Sequence, residues 1–173
     1  GGHGIAIRCD VTKPEEVQAL ADAVIAKWGT VDIVINNAGV PVVGFVEKIT
    51  LEDWKHEIDL MLMGVIYGSR TFIPIFKKQG WGHIVNTASS AGIVSLAEMA
   101  PYNVTKAGVI SLSETLRSEL KGSNIGVTVV CPTFFKINLM DHVRVTDERQ
   151  IKMANAFFEK FSFGTIESVS RST

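Results

Sequence analysis

At 173 residues, with 46% hydrophobic and 20% charged side chains, the sequence has the length and composition of about one globular domain. A net charge of -1 and no block of lysine or arginine argue against a nucleic-acid or membrane-surface role, and the longest strongly apolar run, residues 60–67, is too short to span a bilayer. The two cysteines, Cys9 and Cys131, lie in separate apolar runs and in no CxxC or His/Cys cluster, which points to buried free thiols in a reducing, cytoplasmic compartment and to no metal site.

The first residues, Gly1-Gly2-His3-Gly4, are glycine-rich but precede an apolar run instead of following one, so they read as a turn or chain end. Gly4 to Cys9 is expected as the first strand, ending in Asp10-Val11-Thr12. Thr12, with Glu15 three residues later, forms a capping box for a helix whose apolar face is Val17, Leu20, Ala21, Val24 and Trp28 and which stops at Gly29. Val31 to Ile35 is the next strand, ending in Asn36-Asn37-Ala38-Gly39. Thr50 with Asp53 opens a helix running through Trp54, Ile58 and Leu62 toward Phe72, with Pro74 and Gly80 marking its end. Trp81 to Gly92 reads as a turn, a short apolar strand, and a polar end that includes Ser89. Ile125 to Cys131 is expected as a buried strand; beyond Pro132 an amphipathic helix is expected over Thr146 to Phe161 and a frayed end after it. Strands and helices alternate, which implies a mostly parallel sheet covered on both faces, with any ligand at the carboxyl ends of the strands.

The chemistry lies between the last two strands. Tyr102 opens a helical pattern through Gly122, and Lys106 follows one turn later on the same face. A phenol titrates near ~10 in water, and an adjacent ammonium favours the phenolate, so the pair is expected to act as an acid/base device near neutrality. Tyr67 reads as packing within an apolar helix, and the four histidines have no arranged partners and receive no chemistry.

Asp10-Val11, Asn36-Asn37-Ala38-Gly39, the strand end from Ile84 to Gly92, the spacing of Ser89, Tyr102 and Lys106, and Pro132 after the next strand together resemble the short-chain dehydrogenase/reductases, in the same order from about Ile5 to Met140. The resemblance implies an α/β fold with a Rossmann-like doubly wound parallel sheet, of strand order 3-2-1-4-5-6-7 in the family. Here it is incomplete, the first two strands, their glycine-rich phosphate turn and the last strand being absent. Residues 1–173 are then a single partial NAD(P)-binding domain, an internal fragment with an unprotected sheet edge, and residues 133–161 are its substrate-loop region. The implied function is an oxidoreductase that interconverts an alcohol and a carbonyl by hydride transfer with NAD or NADP. Ser89, Tyr102 and Lys106 are the implied catalytic residues, with Ser89 and Tyr102 touching the substrate and Lys106 also holding the nicotinamide ribose. Asp10 is the implied adenine contact with Val11 beside it; Asn37, Ala38 and Gly39 line the cofactor, Asn36 ties strands together, and Pro132 and Phe135 complete the cofactor seat. A homodimer or homotetramer of the full-length protein is implied, through helices near residues 61–76 and 104–120, with neither nucleic acid nor membrane as partner.

Three positions depart from the family pattern. Met61 stands where an asparagine helps anchor a relay water, and Ile137 stands where a threonine contacts the nicotinamide amide, while Thr133 replaces the glycine after Pro132. A thioether is at best a weak acceptor. These departures keep open a non-catalytic dimerisation or binding module. A serine hydrolase using Ser90 with Asp141 and His142 is the third reading; adjacent residues point apart and cannot easily supply both remaining members of a triad. Phe134, Phe135, Met140, Phe157 and Phe158 suggest a small hydrophobic alcohol or ketone as substrate, and the choice between NAD and NADP stays open.

Overall fold

The computed structural model describes residues 2–133, 144–146, 149 and 152. Helix α1 (Pro14–Trp28) leads to strand β1 (Ile33–Asn36) and the short β2 (Val42–Val43). Helix α2 (Leu51–Ile58) continues through a π-helical segment, Asp59–Met63, into α3 (Gly64–Gln79). Strand β3 (Gly82–Thr87), a 3₁₀ turn (Ser90–Gly92), α4 (Ala100–Glu119), β4 (Ile125–Val130) and β5 (Arg144–Val145) follow. The amphipathic helix expected over Thr146 to Phe161 falls largely outside the described residues.

Three parallel strands form the main sheet in the order β1-β3-β4. Two crossovers in one direction place their helices on one face, and α1 joins them there. Side chains alternate accordingly. Val34, Ile84 and Val127 share one register row beneath the helices, while Ile33 and Ile35 point to the open face at 56% and 64% exposure. Among the described residues no helix covers that second face. The expected burial of the strand Ile125 to Cys131 is corrected for the same reason: in β4 only Ile125 is buried, and Thr128 and Val130 are exposed on what is, among the described residues, an edge of the sheet.

Gly4 to Cys9 is not a strand. A strand exists only through its ladder, and no described strand lies beside this segment, so it runs without regular structure with Ile5 and Ile7 exposed. The expected capping box at Thr12 is also corrected. Lys13 is the residue before α1 and offers no side-chain cap, while Thr12 donates from N and Oγ1 to Asp10 Oδ1 at 3.0 and 2.7 Å. Glu16, one residue later than expected, accepts from the Asp10 N–H at 2.7 Å. The stop at Gly29 holds, with φ 76° and its N–H on Ile25 O. Cys9 and Cys131 are free and half-buried, both outside strands.

Thr50 caps α2 as expected, its Oγ1 accepting from Asp53 N at 3.1 Å. From there Leu51–Gln79 is one continuous helix of 29 residues, long and apolar enough by length and composition alone to cross a membrane. In the fold its far end is a core element: Phe72 and Phe76 pack with Ala21 of α1, Ile84, Leu116 and Ile125. Pro74 lies inside this helix and does not end it. The carbonyl it leaves without an N–H, at Arg70, belongs to an exposed residue, so water can satisfy it, and Gly80 closes the helix at φ 87°.

A chain of polar side chains, half-buried at Asn36 and buried at Asn86 and Ser113, ties these layers together. Asn36 Nδ2 donates to Asn86 Oδ1 at 2.8 Å within one register row, Asn86 Nδ2 donates to Ser113 Oγ at 3.0 Å, and Ser113 Oγ donates to Val109 O at 2.7 Å. Gly68 lets α3 lie directly on it, because a Cβ there would meet Asn36 Oδ1 at 2.1 Å. Gly68→Ala should therefore displace the Asn36 amide and lower unfolding free energy by about 1–3 kcal/mol; chemical denaturation giving an unchanged midpoint would refute this contact.

Candidate functional site

The site forms where β3 ends. Ser89 is extended, at φ -168° and ψ 157°, and its Oγ accepts from Ala91 N at 3.1 Å to start the 3₁₀ turn. That turn is held from below, since Ser90 N donates to Pro132 O at 2.9 Å. Gly92 allows α4 to pack against it: a Cβ would lie 2.7 Å from the carbonyl carbon of Lys106. Helix α4 begins at Ala100 with Pro101 in its first turn, so Tyr102 and Lys106 occupy its first two turns.

Both residues are buried, at 9% and 5% exposure. Lys106 Nζ donates to Thr87 O at 2.9 Å and stands 5.5 Å from the centre of the Tyr102 ring. Met61, on the π-helical segment, packs with Ala91 and Tyr102. Gly39 closes this cluster, because a Cβ there would meet Met61 Sδ at 2.8 Å with Lys106 Nζ 3.8 Å away. Ser89, Tyr102, Lys106 and Gly39 are thus brought together around Met61.

Val11, Asn37 and Ala38 line a separate groove of about 230 Å³ beside Leu60 and Gly64. Asp10 does not line it; its exposed carboxylate is spent on Thr12 and on Lys13, 3.5 Å away, and the Thr12 hydrogen bonds hold it below the usual carboxylate range. Pro132 reaches the site through its carbonyl on Ser90. Phe135, Ile137, Asp141 and His142 lie outside the described residues. His83, at the opposite end of β3 from Ser90, bonds Thr128 Oγ1 at 2.8 Å across the sheet.

The electrostatics reverse one expectation. Burial raises the Tyr102 phenol, a hydrogen bond with the Ser89 side chain lowers it, and the Glu57 charge raises it further, so the phenol stands above its ordinary value. Burial in turn lowers the Lys106 ammonium to about 8 against a pull upward from Glu57. Lys106 turns its Nζ to the Thr87 carbonyl, and the desolvation that encloses both side chains outweighs its help to the phenolate. Sequence reasoning missed Glu57, which is fully buried. Its signal was present: a carboxylate three residues after Trp54 and four before Met61, in the apolar phase of a helix.

Glu57 rises to about 8, chiefly by desolvation. In the unfolded chain it loses its proton near 4.5, so stability present below that value is lost as pH rises through about 8. Lys106 acts oppositely above it, its stability contribution returning between about 8 and 10.5. Denaturation midpoints should therefore fall from pH 5 to 8 and the fall should vanish in Glu57→Gln; a slope surviving in that variant would assign it to another group.

Comparison with known proteins identifies the family. The family model for short chain dehydrogenase covers residues 1–148. The chain is 40% identical over 145 residues to an uncharacterised oxidoreductase of Staphylococcus saprophyticus, covering 83% of this chain and 59% of that protein. It is similar to the structure of a short chain dehydrogenase/reductase from Burkholderia phymatum in complex with NAD, at TM-score 0.78 and 41% identity, over 79% of this chain and 50% of that one. A metagenomic short-chain oxidoreductase in complex with NADP superposes at TM-score 0.73 and 30% identity, over 76% and 60%. The chain thus spans between half and 60% of the length of these relatives.

Proposed function

This chain belongs to the short-chain dehydrogenase family, and from that membership we propose that its protein interconverts an alcohol and a carbonyl with NAD or NADP, Tyr102 exchanging the proton. The observation that carries the reading is a buried ammonium at a strand end, Lys106 on Thr87 O, with its Nζ 5.5 Å from the ring centre of the buried Tyr102 phenol.

The residues present fit part of a nicotinamide nucleotide. Lys106 spends one N–H on Thr87, and the remaining ammonium donors would hold a ribose diol. The groove walled by Val11, Asn37 and Ala38 would take the adenine end. Bound there, the cofactor supplies or accepts the hydride. The chain does the rest. Ser89 Oγ orients the substrate oxygen and stabilises charge on it, and the Tyr102 phenol gives its proton to that oxygen in reduction or takes it in oxidation. Lys106 sits close enough to the ring to favour the transient phenolate. Burial of the phenol keeps it protonated until the substrate oxygen develops charge. The exposed Ile93 and Val94 just beyond the turn support a hydrophobic alcohol or ketone as substrate. The two free thiols support a reducing, cytoplasmic compartment.

A second reading, cofactor binding without turnover, is favoured by one observation: Met61, at the family's asparagine position, is 1% exposed and packed on Tyr102. One experiment separates the two. Protein made from the complete coding sequence should quench or enhance nicotinamide fluorescence on titration and oxidise a hydrophobic secondary alcohol. Tyr102→Phe should lower kcat by about 10²–10⁴-fold with cofactor binding kept; turnover retained in that variant overturns the acid/base role, and binding with no wild-type turnover selects the second reading.

A further inference from the structure

We propose that Glu98 is a positioning residue: its left-handed backbone, held by β2, fixes the start of α4 and with it the place of Tyr102, a role that rests on the dehydrogenase reading above.

Glu98 stands four residues before Tyr102 at φ 62°, one of two non-glycine residues with positive φ among those described. A glutamate takes that conformation only at a cost, so its surroundings must impose it. They do so through the backbone. Gly44 N donates to Glu98 O at 2.7 Å, and Gly44 forms a parallel bridge with Met99. Gly44 has no room to move aside, since a Cβ there would meet Thr146 Oγ1 at 2.6 Å and Ile49 Cγ1 at 3.0 Å.

The aim of the Gly44 N–H is set two residues earlier, because N–H groups two apart along a strand point to the same edge. One edge of β2 is taken by β5, where Arg144 N donates to Pro41 O at 3.3 Å and Thr146 N to Val43 O at 3.2 Å. On the other edge, Val42 N donates to Oε2 of the buried Glu57 at 2.9 Å, and Gly44 N donates to Glu98. Helix α2 thus anchors β2, and β2 anchors Glu98.

The next residue passes this on to the site. Met99 precedes α4 and offers no side-chain cap, its carbonyl accepts the Asn103 N–H at 2.8 Å to open the helix, and its side chain packs on the cluster of Met61, Ala91 and Tyr102. Asn103 also reaches back, its Nδ2 donating to Leu96 O at 2.7 Å. Were Glu98 to leave the left-handed region, its peptide would turn away from Gly44 and Met99 would lose the bridge. The first turn of α4, with the Tyr102 phenol, would then shift against Ser89, which is placed by β3. Lys106, one turn deeper and bonded to Thr87 O, would stay.

In the enzyme from the complete coding sequence, the ranking of variants separates backbone from side chain. Glu98→Gly and Glu98→Asn adopt positive φ readily and should keep kcat within about threefold. Glu98→Val resists it and should lower kcat by about 10–100-fold while affinity for the nicotinamide cofactor stays within about twofold. Glu57→Met reaches the same contact from its other end by removing the acceptor for Val42. It should lower kcat likewise, Glu57→Gln should restore it, and Glu57→Met with Glu98→Val together should cost little more than either alone. Equal losses in all three Glu98 variants would assign the role to the side chain and overturn the proposal, as would an unchanged kcat in Glu98→Val or losses that multiply in the double variant. A second measurement needs no turnover. In protein carrying ring-¹³C tyrosine, the resonance that Tyr102→Phe removes should move in Glu98→Val and stay in Glu98→Gly and Glu98→Asn; a resonance indifferent to Glu98→Val overturns the proposal as well. A protein that binds no nicotinamide while this resonance follows the series sinks the dehydrogenase reading alone.

Discussion

The fold turns on the hydrogen-bond chain that runs inward from the half-buried Asn36 through Asn86 to Ser113. Amides taken out of water are costly unless matched, so only one register of β1 on β3 and one rotation of α4 keep all three satisfied. A slip of one residue would carry Asn86 to the open face and leave its partners unpaired. The consequence for the site is geometric. With Asn36 level with Asn86, β1 and β3 end together, which sets Asn37 and Ala38 beside Thr87 to Ser89. With Ser113 pinned, Lys106 two turns earlier is phased toward the sheet, where it finds the Thr87 carbonyl.

What could be read from the sequence divides along a physical line. The tyrosine–lysine spacing, the polar strand ends, the Thr50 cap and the glycine stops at Gly29 and Gly80 depend on local geometry, and local geometry is written in neighbouring residues. Gly4 to Cys9 looked like a strand and is not, because pairing is supplied by another strand and not by β-propensity. Pro74 looked like a helix end, but the core packing of Phe76 beyond it outweighs one missing bond on an exposed turn. The covering of the sheet on one face among the described residues and the burial of Glu57 come from the packing of layers, and the upward shift of the Tyr102 phenol follows from the desolvation that packing brings. Burial is a property of the assembled layers, and the spacing of two side chains cannot report it.

The site also concentrates costs that the surrounding packing must offset. A phenol, an ammonium and a carboxylate share one largely dry corner, and the first two are held there by close backbone approach at Gly92 and Gly39. These glycines act through absence of volume, not through unusual dihedrals. The outward charges, such as Lys13 with Asp10 and Glu16, are solvent-screened and contribute little by comparison.

The π-helical segment has a consequence for how this chain tolerates change. Its wide turn, closed by Gly64 N on Asp59 O, holds one more residue than an α turn would. Removing a single residue would let the turn close as ordinary helix and rotate everything beyond it by about 100° relative to what precedes it. Glu57 on one side and Val65, Phe72 and Phe76 on the other could then not all face inward. Between residues 59 and 63 the count of residues sets the phase of the helix whatever their identity: an insertion or deletion of one would uncouple the half of the helix that serves the site from the half that serves the core.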